Sequence, residues 1–145
     1  MADAMGVALT QGLWTAAPWS IQEDWTLGFL TLTGQQRPSY FAYQLCADHF
    51  GANAISVTGS PDLVHTYASR SAANDQTRLL IVNYNSETCT LSVDQSALGI
   101  SAPTASVVVP QLSITAVELS DSGELHEWTY GSQEFTAQSG PRAVR

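Results

Sequence analysis

The chain contains no lysine. Its only fixed cations are five arginines, set against thirteen acids, for a net charge of −8 over 145 residues. That balance argues against a nucleic-acid partner, whose phosphates call for a basic patch. It argues equally against an anionic membrane surface. Charge of either sign is sparse, at 12 % of residues, while 44 % are hydrophobic, which is the composition of one globular domain. No apolar run approaches the roughly 18 residues that span a bilayer. The opening "MADAMGVALTQG" has neither a cationic region nor a long apolar core, so no signal peptide is expected. Two cysteines allow at most one disulfide. Cys89 alternates with Leu91 and Val93 and shares their face, and two buried reduced thiols are the plainer reading of Cys46 and Cys89 beside a disulfide. There is no Cys-x-x-Cys and no close histidine pair; His49, His65 and His126 are scattered, and neither metal nor cofactor is expected. A nucleophile elbow, a phosphate loop and a dinucleotide fingerprint are all missing.

What is present changes character along the chain. "ADAMGVAL" reads as helix with a glycine stop at Gly12. "LWTAAPWSI" is extended and broken at Pro18. In "RPSYFAYQLCADHFG", Pro38 suits a first helical turn, and Phe41, Leu45 and His49 recur at helical spacing with Ala42, Cys46 and Phe50. A helix over 38–50, stopped by Gly51, is expected. After it the period shortens. "NAISVTG", "LVHTYASRS", "TRLLIVNYNS", "ETCTLSVD", "TASVVVP", "LSITAVELS", "LHEWTYG" and "SQEFTAQ" are short β-rich runs divided by turn residues, the pattern of an antiparallel sandwich. The continuous run in "TRLLIV" marks a central strand, and "NYNSET" reads as a hairpin to the next. The expected fold is therefore mainly β, an antiparallel β-sandwich of jelly-roll or Ig-like type with one helix on its N-terminal side. The expected divisions are a segment 1–52 carrying the helix, a sandwich 53–138 and a loose tail 139–145.

The helix "RPSYFAYQLCADHFG", the Ala-Ser-Arg of "LVHTYASRS", the Val-Asn after the apolar run and the Pro-x-x-Ser-Ile-Thr of "PQLSIT" carry a resemblance. The order resembles the carboxyl end of a retaining (β/α)8-barrel glycoside hydrolase of arabinofuranosidase-like, xylosidase-like or endoglucanase-like type: last barrel strand, last helix, accessory sandwich. The resemblance implies a catalytic barrel as partner, an extracellular setting and an oligo- or polysaccharide ligand. It carries no catalytic residue onto this chain. Such enzymes need two carboxylates roughly 5 Å apart, and there is no Asn-Glu dipeptide here. Glu23 and Asp24 are adjacent and diverge in an extended segment; Glu124 and Glu127 read as surface acids.

Aromatic rings are the remaining resource. Sugars present apolar C–H faces that stack on exposed Trp or Tyr. Trp128 and Tyr130 alternate in "HEWTYG", so both rings fall on one sheet face with His126, opposite Glu127 and Thr129. If that face is solvated, it is a two-ring platform; if it is the inner face, the rings are core. Trp14, Trp19 and Trp25 match the aromatics lining the barrel-end sugar pocket in the resembled enzymes. Tyr40, Tyr43, Tyr67 and Tyr84 read mainly as packing, and Asn83 and Asn85 as hairpin backbone partners. The expectation is a non-catalytic carbohydrate-binding or accessory sandwich for a neutral β-glucan or hemicellulose, with Trp128, Tyr130, Trp14, Trp19 and Trp25 as contacts. The alternative is a structural buttress without a ligand. The apolar N-terminal segment also allows a homodimer.

Overall fold

In the computed structural model, the residues described are all but 14–19, 25–27 and 101–103. The fold is mainly β, with eight strands in two antiparallel sheets and three α-helices among the described residues. Helix α1 spans Ala2–Thr10 and α2 spans Pro38–His49. The strands are β1 (Asn53–Ile55), β2 (Val64–Arg70), β3 (Gln76–Asn83), β4 (Cys89–Asp94), β5 (Thr104–Val109), β6 (Ser113–Ser120), β7 (Leu125–Tyr130) and β8 (Arg142–Ala143), with α3 (Ser132–Ala137) between the last two. Six strands form one sheet in the order β1-β2-β3-β6-β7-β8, and β4 and β5 form the other.

The "TRLLIV" run is the centre of the large sheet, and its side chains divide between two cores. Leu80 and Val82 face Phe41, Ala42, Leu45 and Cys46 of α2, with Ala116 and Tyr130 beside them. Leu79 and Ile81 face the small sheet, where Val107 and Val109 of β5 meet Val64, Ala68 and Val117. A strand buried on both faces needs no alternation, which is why this one reads as a continuous apolar run. The molecule is thus layered as helices, six strands and two strands. Cys46 lies in the first core and Cys89 beside the second, and both are free thiols. Burial pushes the Cys46 thiol up to about 11.

Several expectations change. "SQEFTAQ" is helix α3 rather than strand, and Glu134 caps its start by accepting from the Gly131 N–H at 2.9 Å. "NYNSET" is not a hairpin within one sheet: β3 pairs with β2 and β6, β4 pairs with β5, and the loop crosses between layers. Asn83 fastens that crossing, donating to the Glu87 and Pro110 carbonyls at 3.1 and 2.9 Å and accepting from the Asn85 N–H at 2.9 Å. Helix α2 ends at His49, before Gly51. Gly51 serves a close approach instead, since a Cβ there would lie 2.2 Å from the Arg70 carbonyl oxygen. The tail 139–145 is not loose throughout. Residues 142–143 pair with β7, Val144 donates to the Glu127 carbonyl, and Arg145 Nη2 lies 2.8 Å from Glu127 Oε1. Glu127, read from sequence as a surface acid, is 2 % exposed and is held by that arginine.

Candidate functional site

The motifs behind the resemblance are structural in this fold. Arg70 of the Ala-Ser-Arg is buried and grips Asp121 with two parallel bonds of 2.8 and 2.9 Å, while its Nη1 also donates to Thr77 at 2.9 Å. This bidentate pairing raises the Arg70 guanidinium and lowers the Asp121 carboxyl from their ordinary values. Ser113 of the Ser-Ile-Thr donates to the Pro110 carbonyl at 2.7 Å. Each pins one turn to the sheet.

The aromatic face of β7 is covered by α2. Tyr130 is 6 % exposed, with its ring centroid 4.9 Å from that of Phe41. Trp128 is half-buried and stacks on His49 of α2 at 3.9 Å between centroids. His49 Nδ1 lies 3.2 Å from Glu118 Oε1, which fixes the imidazole over the indole. The two rings therefore form no solvated platform. They lie on the helix-covered side of the large sheet, because 38–49 folds back across β6 and β7. His126, on the same strand face, remains exposed beside Trp128. Trp14, Trp19 and Trp25 lie outside the described residues. Tyr40 and Tyr43 pack with Phe29 at 6.3 and 5.0 Å between ring centroids.

A different cluster gathers where α1 crosses β2. Gly6 is the residue that permits the crossing: a Cβ at that position would stand 2.2 Å from the Tyr67 ring. The close approach brings Asp3, in the first turn of α1, over β2. Asp3 Oδ1 accepts from the Tyr67 hydroxyl and contacts His65 Nδ1 at 2.7 Å. His65 and Tyr67 share a strand face because they are two residues apart. Just past β3, the Tyr84 N–H bonds to the Leu63 carbonyl at 2.8 Å, which sets the Tyr84 ring edge-on to His65 at 5.3 Å. Tyr84 is 47 % exposed.

The electrostatics of this cluster favour a charged carboxylate beside protonated phenols. Burial works to raise the Asp3 carboxyl, but the Tyr67 and His65 bonds outweigh it, and the net shift is downward. Burial, then Asp3, raises both the Tyr67 and Tyr84 phenols, so both keep their protons. Asp3 and Tyr84 line a cavity of about 410 Å³ together with Met1, Val82, Tyr130 and Phe135. Asp3 is the one acid among its described lining residues. Such a site can accept hydrogen bonds from hydroxyls and stack an apolar ring face. Among the described residues, no group of three or more His, Cys, Asp or Glu side chains could hold a metal ion.

Sequence reasoning assigned Tyr84 and Tyr67 to packing and did not single out Asp3. The available signal was the short spacing of His65, Tyr67 and Tyr84 around a strand pair, but the carboxylate comes from a helix some sixty residues away. No protein-family model matches this chain, and no curated protein or solved structure matches it either.

Proposed function

We propose that the chain is a non-catalytic accessory β-sandwich that binds a neutral saccharide, a β-glucan or hemicellulose fragment, as a module of a polysaccharide-degrading hydrolase working outside the cell. The observation that carries this reading is the exposed Tyr84 ring beside the Asp3–His65 pair, with Tyr84 and Asp3 lining the 410 Å³ cavity. An exposed ring offers stacking area, and a carboxylate held low by its neighbours offers a strong acceptor to sugar hydroxyls. The non-catalytic part is supported by how four of the thirteen acids are used. Glu134 is committed to Arg142, Glu127 to Arg145, Asp121 to Arg70 and Glu118 to Arg78 and His49. Calorimetric titration with xyloglucan, mixed-linkage β-glucan and xylan oligosaccharides tests the reading. Binding should occur to one of them and be lost in Tyr84→Ala with an unchanged melting temperature. No binding to any of the three by the unaltered chain would end it.

One observation favours the second reading, a structural buttress for a larger catalytic domain. Val7, Leu9, Leu13, Ile21 and Leu32, all in the first 32 residues, are exposed, Ile21 at 73 %. Apolar side chains gathered in one segment suit a docking surface. Replacing Leu13, Ile21 and Leu32 together with serine should leave oligosaccharide binding intact under the first reading, and should abolish co-purification with a barrel partner under the second.

A further inference from the structure

The small sheet covers only part of the large one. β5 lies toward β6 and β7, and β4 pairs with β5 on one side only. Beyond β4 the inner face of β1 and β2 has no strand above it among the described residues. What remains is a groove of about 560 Å³. Its floor includes Ile55, Thr66 and Ala68, and its wall Leu91, Val93 and Gln95. Leu91, Val93, Ile55 and Thr66 are only half-buried, so this part of the second core is open. Gln95 is 2 % exposed, yet neither its Nε2 nor its Oε1 has a hydrogen-bond partner. Native structures rarely leave a buried amide unpaired, because each such group forfeits the hydration it had when unfolded.

We propose that this groove takes an extended peptide strand that adds to the free edge of β4 and pairs with the Gln95 carboxamide. The bare edge of a strand offers backbone N–H and C=O groups to exactly such an addition, and pockets on alternate sides then read the side chains. A carboxamide matches a peptide group, donor to acceptor and acceptor to donor. The floor fits aliphatic side chains at every second position. No aromatic ring lines the groove among the described residues, which disfavours a stacked sugar there. Asp94 lines one end, the chain carries a net charge of −8 and it has no lysine, so the strand it suits is a basic one from another polypeptide segment rather than a second copy of this chain.

The test uses the full chain and a displayed random peptide library of about nine residues, long enough to cover a typical strand. Enriched peptides should alternate aliphatic with polar residues and carry Arg or Lys. Synthetic versions should bind the unaltered chain, bind Gln95→Leu about tenfold more weakly, as the loss of one good hydrogen bond implies, and fail to bind Thr66→Trp, whose indole fills the floor. Gln95→Leu should melt at the same temperature as the unaltered chain or higher, because it removes an unpaired buried amide. The proposal is overturned by an absence of enrichment, by equal binding to Thr66→Trp, or by a lower melting temperature for Gln95→Leu, which would give the amide an internal task. Sedimentation as a dimer that Thr66→Trp abolishes would also overturn it, by assigning the groove to a second copy.

Discussion

The two faces of the six-stranded sheet are built from the same strands and finished differently. On one, α1 and α2 lay Ala2, Phe41, Leu45 and Cys46 over Leu80, Val82, Ala116 and Tyr130, and the aromatic residues are spent on packing. On the other, two strands cover aliphatic side chains and stop short of β1 and β2. The difference teaches that aromatic content does not locate a binding surface. Trp128 and Tyr130 are under a helix, whereas Tyr84, just past the end of β3, and Phe135 of α3 are exposed.

The sharpest test of that contrast is truncation on each side. Leu45→Ala, at 1 % exposure in the helix-covered core, should lower stability by about 3 kcal/mol. Leu91→Ala, half-buried beside the open groove, should lower it by only about 1 kcal/mol. Urea unfolding of both variants measures the gap, and equal losses would mean that the groove side is as closed as the helix side. Next in size is Gly6→Ala, which drives a methyl into the Tyr67 ring. Overpacking of this kind should cost about 2 kcal/mol and should displace Asp3 from Tyr67. Loss of the Asp3 cluster can be followed by the NMR shifts of His65.

These tests also separate what was legible in the sequence from what was not. The double-sided burial of β3 could be read in Leu79–Val82, since four apolar residues in succession admit no exposed face. Helix 38–49 could be read from Pro38 and the spacing of Phe41, Leu45 and His49. Helix α3 was hidden because Phe135 and Thr136 suggest a strand, and only the Gly131–Glu134 spacing tells against it. The candidate site was hidden for a different reason: it depends on a helix–strand crossing that Gly6 allows, and a missing side chain leaves no pattern to read.

A smaller effect concerns pH. Asp3, Asp121 and Glu134 all have carboxyls below their ordinary range in the folded chain, Glu134 because Arg142 and the Gly131 N–H outweigh its burial. A carboxyl depressed by folding contributes stability that is complete above its unfolded value, roughly 4. That contribution disappears as pH falls through the folded value. Melting temperature should therefore be nearly level from pH 7 to 5 as far as these groups are concerned, and should fall below about pH 4. Asp121→Asn should flatten that fall; an unchanged acid limb would remove the Arg70 pair from the account. The smallest expected change in stability is that of Tyr84→Ala, within about 0.5 kcal/mol for an exposed side chain, and it should nonetheless carry the whole loss of saccharide affinity.

The short β8 strand has a consequence for how this protein behaves at high concentration. A sheet edge can recruit the edge of a neighbouring molecule and begin an aggregate. Here one rim of the large sheet is β1, three residues long, and the other is β8, which pairs with β7 only at Trp128 and Thr129. Arg145 then seats on Glu127, closing that rim with an ion pair. Proteolytic trimming from residue 142 onward would bare the β7 backbone at Glu127, Trp128 and Thr129 and leave Glu127 without its cation. Stacking edge to edge is the expected result of that trimming, so residues 142–145 shield this rim of the sheet.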